Sequence, residues 1–207
     1  MKILAVSDRI VEHIYSTTII ERFSNIDIII SCGDLPNYYL EFIVSVLNKP
    51  LFYVMGNHCT GRTYTEDGIS DAFPEGCINL DNKIIEYKNI ILAGLEGSMK
   101  YSGEKYQYTD FQMNWKINRL RPRLYCNKIF KKKYIDILVT HAPPYHIHDE
   151  EDLCHRGFTG FNNFIKSYKP KYLIHGHIHL YGTGKERETL VDKTRIINAF
   201  GFKVIEI

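Results

Sequence analysis

The sequence has no apolar run near the roughly 20 residues that cross a bilayer, so no membrane span is expected. Its opening, Met1-Lys2-Ile3-Leu4-Ala5-Val6, is apolar but too short for a signal peptide with its cleavage site. It reads as a first strand. Cysteines are few, odd in number and scattered, at Cys32, Cys59, Cys77, Cys126 and Cys154, with no Cys-x-x-Cys among them. That usage argues against a disulfide framework and a zinc knuckle, and suits a reducing compartment; a cytoplasmic location is the expectation. Excess charge is missing too. Lys and Arg total 26 against 24 Asp and Glu, and a net charge of +2 does not by itself call for a nucleic acid or a membrane surface. No Gly-, Pro- or Ser-rich linker and no internal repeat divides the 207 residues, so 1–207 is read as one domain.

What is present is a series of short apolar runs: Ile3 to Val6, Ile26 to Ser31, Leu51 to Met55, Ile90 to Ala93, Ile135 to Thr140 and Tyr172 to Ile174. Continuous runs bounded by polar turn residues suit strands buried on both faces. Between the early ones, Val11 to Phe23 and Leu40 to Leu47 carry apolar positions at helical spacing. The first part therefore reads β-α-β-α-β, the pattern of a parallel sheet. Ile78 to Asn82, Lys83 to Tyr87 and Ile90 to Ala93 read as antiparallel hairpins, and Thr194 to Asn198 and Phe202 to Ile207 as closing strands around Gly201. The expected class is α/β, with two mixed sheets packed together and helices outside. The segment from Tyr108 to Lys133 is helical in its first part, with Trp115, Ile117 and Leu120 as apolar anchors. It is also basic, at Lys116, Arg119, Arg121, Arg123, Lys128, Lys131, Lys132 and Lys133. A solvated face is the plainer reading; a patch for a polyanion is the sharper one.

Polar clusters follow these strands: Ser7-Asp8, Gly33-Asp34, Gly56-Asn57-His58, Thr140-His141 and His175-Gly176-His177-Ile178-His179. One Asp after a strand is usually a helix cap or turn former. Asp8, Asp34, Asn57, His141 and His177 together are harder to dismiss, because the carboxyl ends of strands are where open α/β sheets gather functional groups. Carboxylate, amide oxygen and imidazole suit Mn²⁺, Fe or Zn²⁺. Two such ions roughly 3.5–4 Å apart can clamp an oxyanion and activate water for in-line attack on phosphorus.

In that order, the motifs resemble the calcineurin-like metallophosphoesterases, from near the start of the chain to about residue 180. The resemblance implies a four-layer α/β/β/α sandwich and two divalent metal ions. By position, Asp34 would bridge the ions, Asn57, His141 and His177 would complete one site, and Asp8 and His179 would belong to the other. His58 would contact phosphate and assist the leaving group as a general acid. The implied activity is a metal-dependent phosphoesterase, most naturally a phosphodiesterase with Mn²⁺, acting on a phosphate-ester small molecule or nucleotide. A nuclease, and a degenerate fold serving as a protein-binding scaffold, are the alternatives.

The sequence departs from the family pattern at two places. The first motif, Asp-x-His in the family, reads Asp8-Arg9-Ile10, which leaves the Asp8/His179 site one protein ligand short. Cys59 stands after His58 where an acid is common. The loop from His146 to Gly157 leaves the strand bearing His141 and is dense in ligand-type side chains. His155 or Asp149 could fill the vacancy there, and His155 and Arg156 are candidate substrate contacts. His175 reads as a structural histidine of the strand. Thr60 to Phe73 and the His146 to Gly157 loop are expected to set substrate choice.

Overall fold

The computed structural model describes residues 1–207 apart from 60, 61, 66, 67, 72 and 182–185, with the backbone alone at 62–65 and 68–71. Of the stretch 60–73, expected to help set substrate choice, 60, 61, 66, 67 and 72 therefore lie outside the described residues, and eight others are described by their backbone alone. In chain order the elements are β1 (Lys2–Ser7), α1 (Ile19–Phe23), β2 (Ile28–Ser31), α2 (Asn37–Leu47), β3 (Leu51–Tyr53), β4 (Arg62–Thr65), β5 (Gly68–Asp71), β6 (Cys77–Asn79), β7 (Ile84–Tyr87) and β8 (Ile90–Leu95). There follow β9 (Ser98–Met99), β10 (Gln107–Tyr108), α3 (Asp110–Lys131), β11 (Ile137–Thr140), α4 (Thr159–Tyr168), β12 (Tyr172–His175), β13 (Glu188–Val191), β14 (Thr194–Asn198) and β15 (Gly201–Glu206).

Two mixed sheets dominate. The first has the order β15-β1-β2-β3-β6, with β15 antiparallel to β1 and the rest parallel. The second runs β13-β14-β12-β11-β8-β7, with antiparallel strands at both edges. Alternation along each strand decides the layering. Ile3 and Ala5 of β1 join Ile30, Phe52, Leu92, Val139 and Ile174 between the sheets. Leu4 and Val6 point the other way, against Phe23, Tyr39, Leu40 and Ile43 of α1 and α2. On the outer face of the second sheet, Ala93, Leu138 and Leu173 pack on Met113, Leu120, Leu124, Phe161 and Phe164 of α3 and α4. The result is the expected α/β/β/α sandwich. Among the described residues, no helix is long and apolar enough to cross a membrane.

Several expectations need correction. Val11 to Phe23 is not one helix; only Ile19–Phe23 is, and the preceding Ser16-Thr17-Thr18 forms turns. Hydroxyl side chains there compete for backbone groups, with Ser16 Oγ accepting from the Thr18 amide. The run from Ile78 does not pair with β7: β6 adds in parallel to β3, while β7 and β8 form the one hairpin of that group. The two closing strands form as expected around Gly201, but in different sheets. β14 belongs to the second sheet and β15 to the first, and the unanticipated β13 turns into β14 through Asp192, at φ 52°. Helix α3 continues to Lys131, leaving only Lys132 and Lys133 of the basic stretch beyond it, with a capping box of Thr109 and Gln112 at its start. Ile117 and Leu120 are buried as expected, but Trp115 is 55% exposed. Of the basic side chains, Lys116, Lys131 and Lys133 are paired with carboxylates of Asp81 and Glu96, Glu86, and Asp136.

Candidate metal centre

β1 and β2 of the first sheet and β11 and β12 of the second end at one edge of the sandwich, and the polar clusters extend from those ends. Asp8, Asp34 and His177 stand just beyond their strands with φ of 62°, 54° and 67°. Non-glycine residues rarely adopt this left-handed region, which costs roughly 1–3 kcal/mol each and is tolerated where the surroundings fix it. The surroundings are tight. A Cβ on Gly56 would collide with the Asp34 carboxylate, and one on Gly176 with Ser7 Oγ.

Asp34, His141 and His177 each bring a donor atom within 4.8 Å of the others'. The hydrogen bonds fix which atoms those are. His141 Nδ1 faces the Cys32 carbonyl at 2.7 Å, and a carbonyl only accepts, so Nδ1 carries a proton. His141 Nε2 faces Asn57 Oδ1 at 3.0 Å and Asp34 Oδ2 at 3.2 Å. Asn57 turns its amide nitrogen away to donate to the Tyr101 hydroxyl, at 3.2 Å. A ring nitrogen and two acceptor oxygens therefore converge. Burial opposes charge on His141, but Asp34 and Asp8 beside it carry its pKa up to about 9, so a proton on Nε2 reconciles the three. A divalent cation could replace that proton, and these residues fit one.

The neighbours are in matching states. Burial, with His141 alongside, holds His177 down to about 3, a neutral imidazole. Its Nε2 lies 2.8 Å from the Cys154 carbonyl, which leaves Nδ1 with the free lone pair. Burial works against ionisation of Asp34, yet His141 and the His58 amide hold its carboxyl well below the usual range. The His58 amide donates to Asp34 Oδ1 at 2.8 Å, and the His58 side chain is exposed at the rim.

The Asp8 carboxylate accepts from the His177 amide at 3.1 and 2.9 Å, and burial raises its pKa. His179 is exposed, its ring against Phe200 at 5.0 Å and Tyr181 at 5.4 Å. Ile10 is 38% exposed. His155 lies beside His177, ring centroids 5.2 Å apart, and bonds Asp152 through Nδ1. Arg156 stacks on Tyr145 at 4.8 Å and lines a cavity of about 410 Å³ with His146, His148 and Asp149. Asp149 accepts from the Gly157 amide at 3.0 Å. His175 is buried in β12, bonded to Gly176 O and His148.

Cys59 behaves unlike the acid it replaces. Its sulfur accepts from the Asp34 amide at 3.2 Å and the Gly56 amide at 3.3 Å, and so clamps two motif loops together. Burial, helped by Asp34, pushes the thiol up to about 12, so it is neutral. Tyr101 went unnoticed in the sequence. Its hydroxyl meets both Asn57 and the Cys154 thiol, and no motif marks a tyrosine 44 residues beyond Asn57.

Comparison with solved structures supports the fold. TT1561 of Thermus thermophilus superposes with a TM-score of 0.64 at 16% identity, covering 96% of this chain and 88% of that one. GAP50, the anchor in the inner membrane complex of Plasmodium, superposes with a TM-score of 0.53 at 14% identity, covering 96% and 70%. Curated protein sequences offer no match. The calcineurin-like phosphoesterase family matches residues 1–181, a span that takes in every strand-end motif from Asp8 to His179. With family and fold in agreement over that span, the chain belongs to the calcineurin-like phosphoesterases.

Proposed function

We propose that this chain is a metal-dependent phosphodiesterase. The observation that carries the reading is the convergence of His141 Nε2, Asn57 Oδ1 and Asp34 Oδ2, three atoms that need a positive charge between them. The family is one of divalent-metal phosphoesterases. Asp34, Asn57, His141 and His177 would hold an ion, Mn²⁺ first among the candidates. Such an ion polarises a phosphoryl oxygen and acidifies water. Asp8 and His179 correspond to the family's donors to a second ion.

The residues of the chain divide the remaining work. The Cys32 carbonyl holds the His141 ring through Nδ1, so Nε2 stays aimed at the centre. The Cys154 carbonyl does the same for His177, leaving Nδ1 as the donor. The His58 amide fixes one oxygen of Asp34, and the exposed His58 ring is placed to give a proton to a departing alkoxide. Among the described residues, the hydrogen bonds and ion pairs of Asp8, Asp34, Asn57, His141 and His177 reach no lysine or arginine.

The test is hydrolysis of an aryl phosphodiester and the matching aryl monoester by protein loaded with Mn²⁺. The diester should turn over faster, a chelator should stop it, and Asp34→Ala should abolish it. No turnover of either ester with Mn²⁺, Fe²⁺ or Zn²⁺ would sink the reading. A scaffold without catalysis is the second reading, favoured by Ile10, which stands where the first motif would carry a ligand. It predicts at most one weakly bound metal and a stable protein partner, and a metal-to-protein ratio near two after gentle purification would count against it.

A further inference from the structure

Beyond the Asp34 group, one other set of ligand-type atoms converges among the described residues: Asp152, Cys154 and His155, all within 4.8 Å of one another. They lie between β11 and α4, in the segment that folds over the metal centre. We propose that Asp152, Cys154 and His155 form a second, separate cation site, selective for a thiophilic ion such as Zn²⁺. The inference goes beyond the phosphodiesterase reading and stands on donors that reading does not use.

The donors are arranged before any ion arrives. Asp152 Oδ1 accepts from the amides of Cys154 at 3.0 Å and His155 at 3.1 Å, closing a tight turn. His155 Nδ1 meets the same carboxylate at 2.9 Å, and Glu150 Oε2 lies 4.0 Å from that nitrogen. The turn explains Asp152 and its hydrogen bond explains the imidazole, but neither explains why the Cys154 sulfur lies within 4.8 Å of both. Burial raises the Cys154 pKa, and a bound ion would displace its proton. Carboxylate, sulfur and imidazole in one place match the tetrahedral preference of Zn²⁺, whereas Mn²⁺ favours oxygen.

Position gives the site a role. The Cys154 carbonyl receives His177 Nε2 at 2.8 Å, and its thiol meets the Tyr101 hydroxyl that also holds Asn57. A cation on Asp152, Cys154 and His155 would brace two ligands of the Asp34 group from outside. His155 then acts as a ligand rather than as a substrate contact.

Cobalt titration of the full chain tests this, because a thiolate bound to Co²⁺ gives a near-ultraviolet charge-transfer band. The expected result is that band, carried by one equivalent of Co²⁺ beyond what the Asp34 centre binds. Asp34→Asn should weaken binding at the centre and keep the band, while Cys154→Ser should lose the band and one equivalent. A missing band, a band that survives Cys154→Ser, or one removed by Cys59→Ser instead would overturn the proposal. Should Cys154→Ser fail to fold, His155→Ala keeps the thiol and should weaken Co²⁺ binding at the band at least ten-fold; unchanged affinity would overturn it. Absence of hydrolysis with the band intact sinks the phosphodiesterase reading and supports this site.

Discussion

Two buried clusters of charge sit in this molecule, and their hydrogen bonds differ in kind. In one, Lys116 Nζ donates to Asp81 at 2.9 Å and Glu96 at 3.3 Å, the Tyr108 hydroxyl donates to Glu96 at 2.7 Å, and the Glu96 amide donates to Asp81 at 3.0 Å. Carboxylate and donor match without any added group. In the other, His141 Nε2, Asn57 Oδ1 and Asp34 Oδ2 face one another, and only a proton or a cation reconciles them. A self-sufficient cluster holds the fold together. A cluster left short of positive charge is built for something from outside.

The sharpest break in this comparison is substitution of one charged group in each cluster. Asp34→Asn should cost hydrolysis several kcal/mol of transition-state stabilisation, on the order of a thousand-fold. The metal-free variant should lose less stability than Lys116→Met, because His141, left without Asp34, can shed the proton that the carboxylate held there. Lys116→Met should do the reverse. It leaves Asp81 and Glu96 without their cation, and removing one partner of a buried pair costs about 3–5 kcal/mol. The variant that remains folded should keep its kcat. If Asp34→Asn unfolds the chain as readily as Lys116→Met, the distinction between the clusters fails.

Much of this contrast was legible in the sequence, and the part that was not has a physical cause. Asp34, Asn57, His141 and His177 stand directly after apolar runs, and strand ends are places a linear reading can locate. The Lys116 cluster was invisible: its members come from the β6–β7 connection, the end of β8 and α3, and Lys116 reads as one of eight basic residues on a solvated face. Trp115 was misread in the opposite direction, because helical spacing fixes neighbours along a helix but not which face meets the sheet. The Val11 to Phe23 helix failed where Ser16-Thr17-Thr18 offered the backbone other partners. Cys59 could be flagged as a departure, yet only the fold shows its sulfur accepting two amides that anchor the metal loops.

A smaller effect separates chemistry from metal binding within the second cluster. His58 makes its bond to Asp34 through its backbone, so His58→Gln leaves that bond in place. It should lower kcat about a hundred-fold or more by removing the general acid. Metal stoichiometry, measured by atomic absorption, should not change. Loss of metal in this variant would mean that the His58 ring, too, serves the centre as a ligand.

The pH dependence of stability sharpens the same contrast by a smaller amount. His141 has its pKa raised to about 9 in the folded, metal-free chain, against an ordinary 6.5 when unfolded. Such a group gives stability that is full below pH 6.5 and is lost as pH rises towards 9. Metal-free protein should therefore lose stability between these values in urea titrations, and His141→Gln should flatten that part of the curve. Bound metal should flatten it as well, because the cation then occupies the place of the proton. A slope that survives both changes would place its origin elsewhere.

The mildest test falls on the self-sufficient cluster. Tyr108→Phe removes one donor to Glu96 but leaves Lys116 Nζ in place at 3.3 Å, so the carboxylate keeps a partner. The expected cost is about 1 kcal/mol, the net worth of one hydrogen bond, read as a shift in the urea midpoint at unchanged slope. Hydrolysis should be unaffected, because Tyr108 touches none of the converging atoms at His141. A loss of several kcal/mol would show that Lys116 cannot hold Glu96 alone. In that event the cluster depends on its full set of donors acting together, as a network in a low dielectric does.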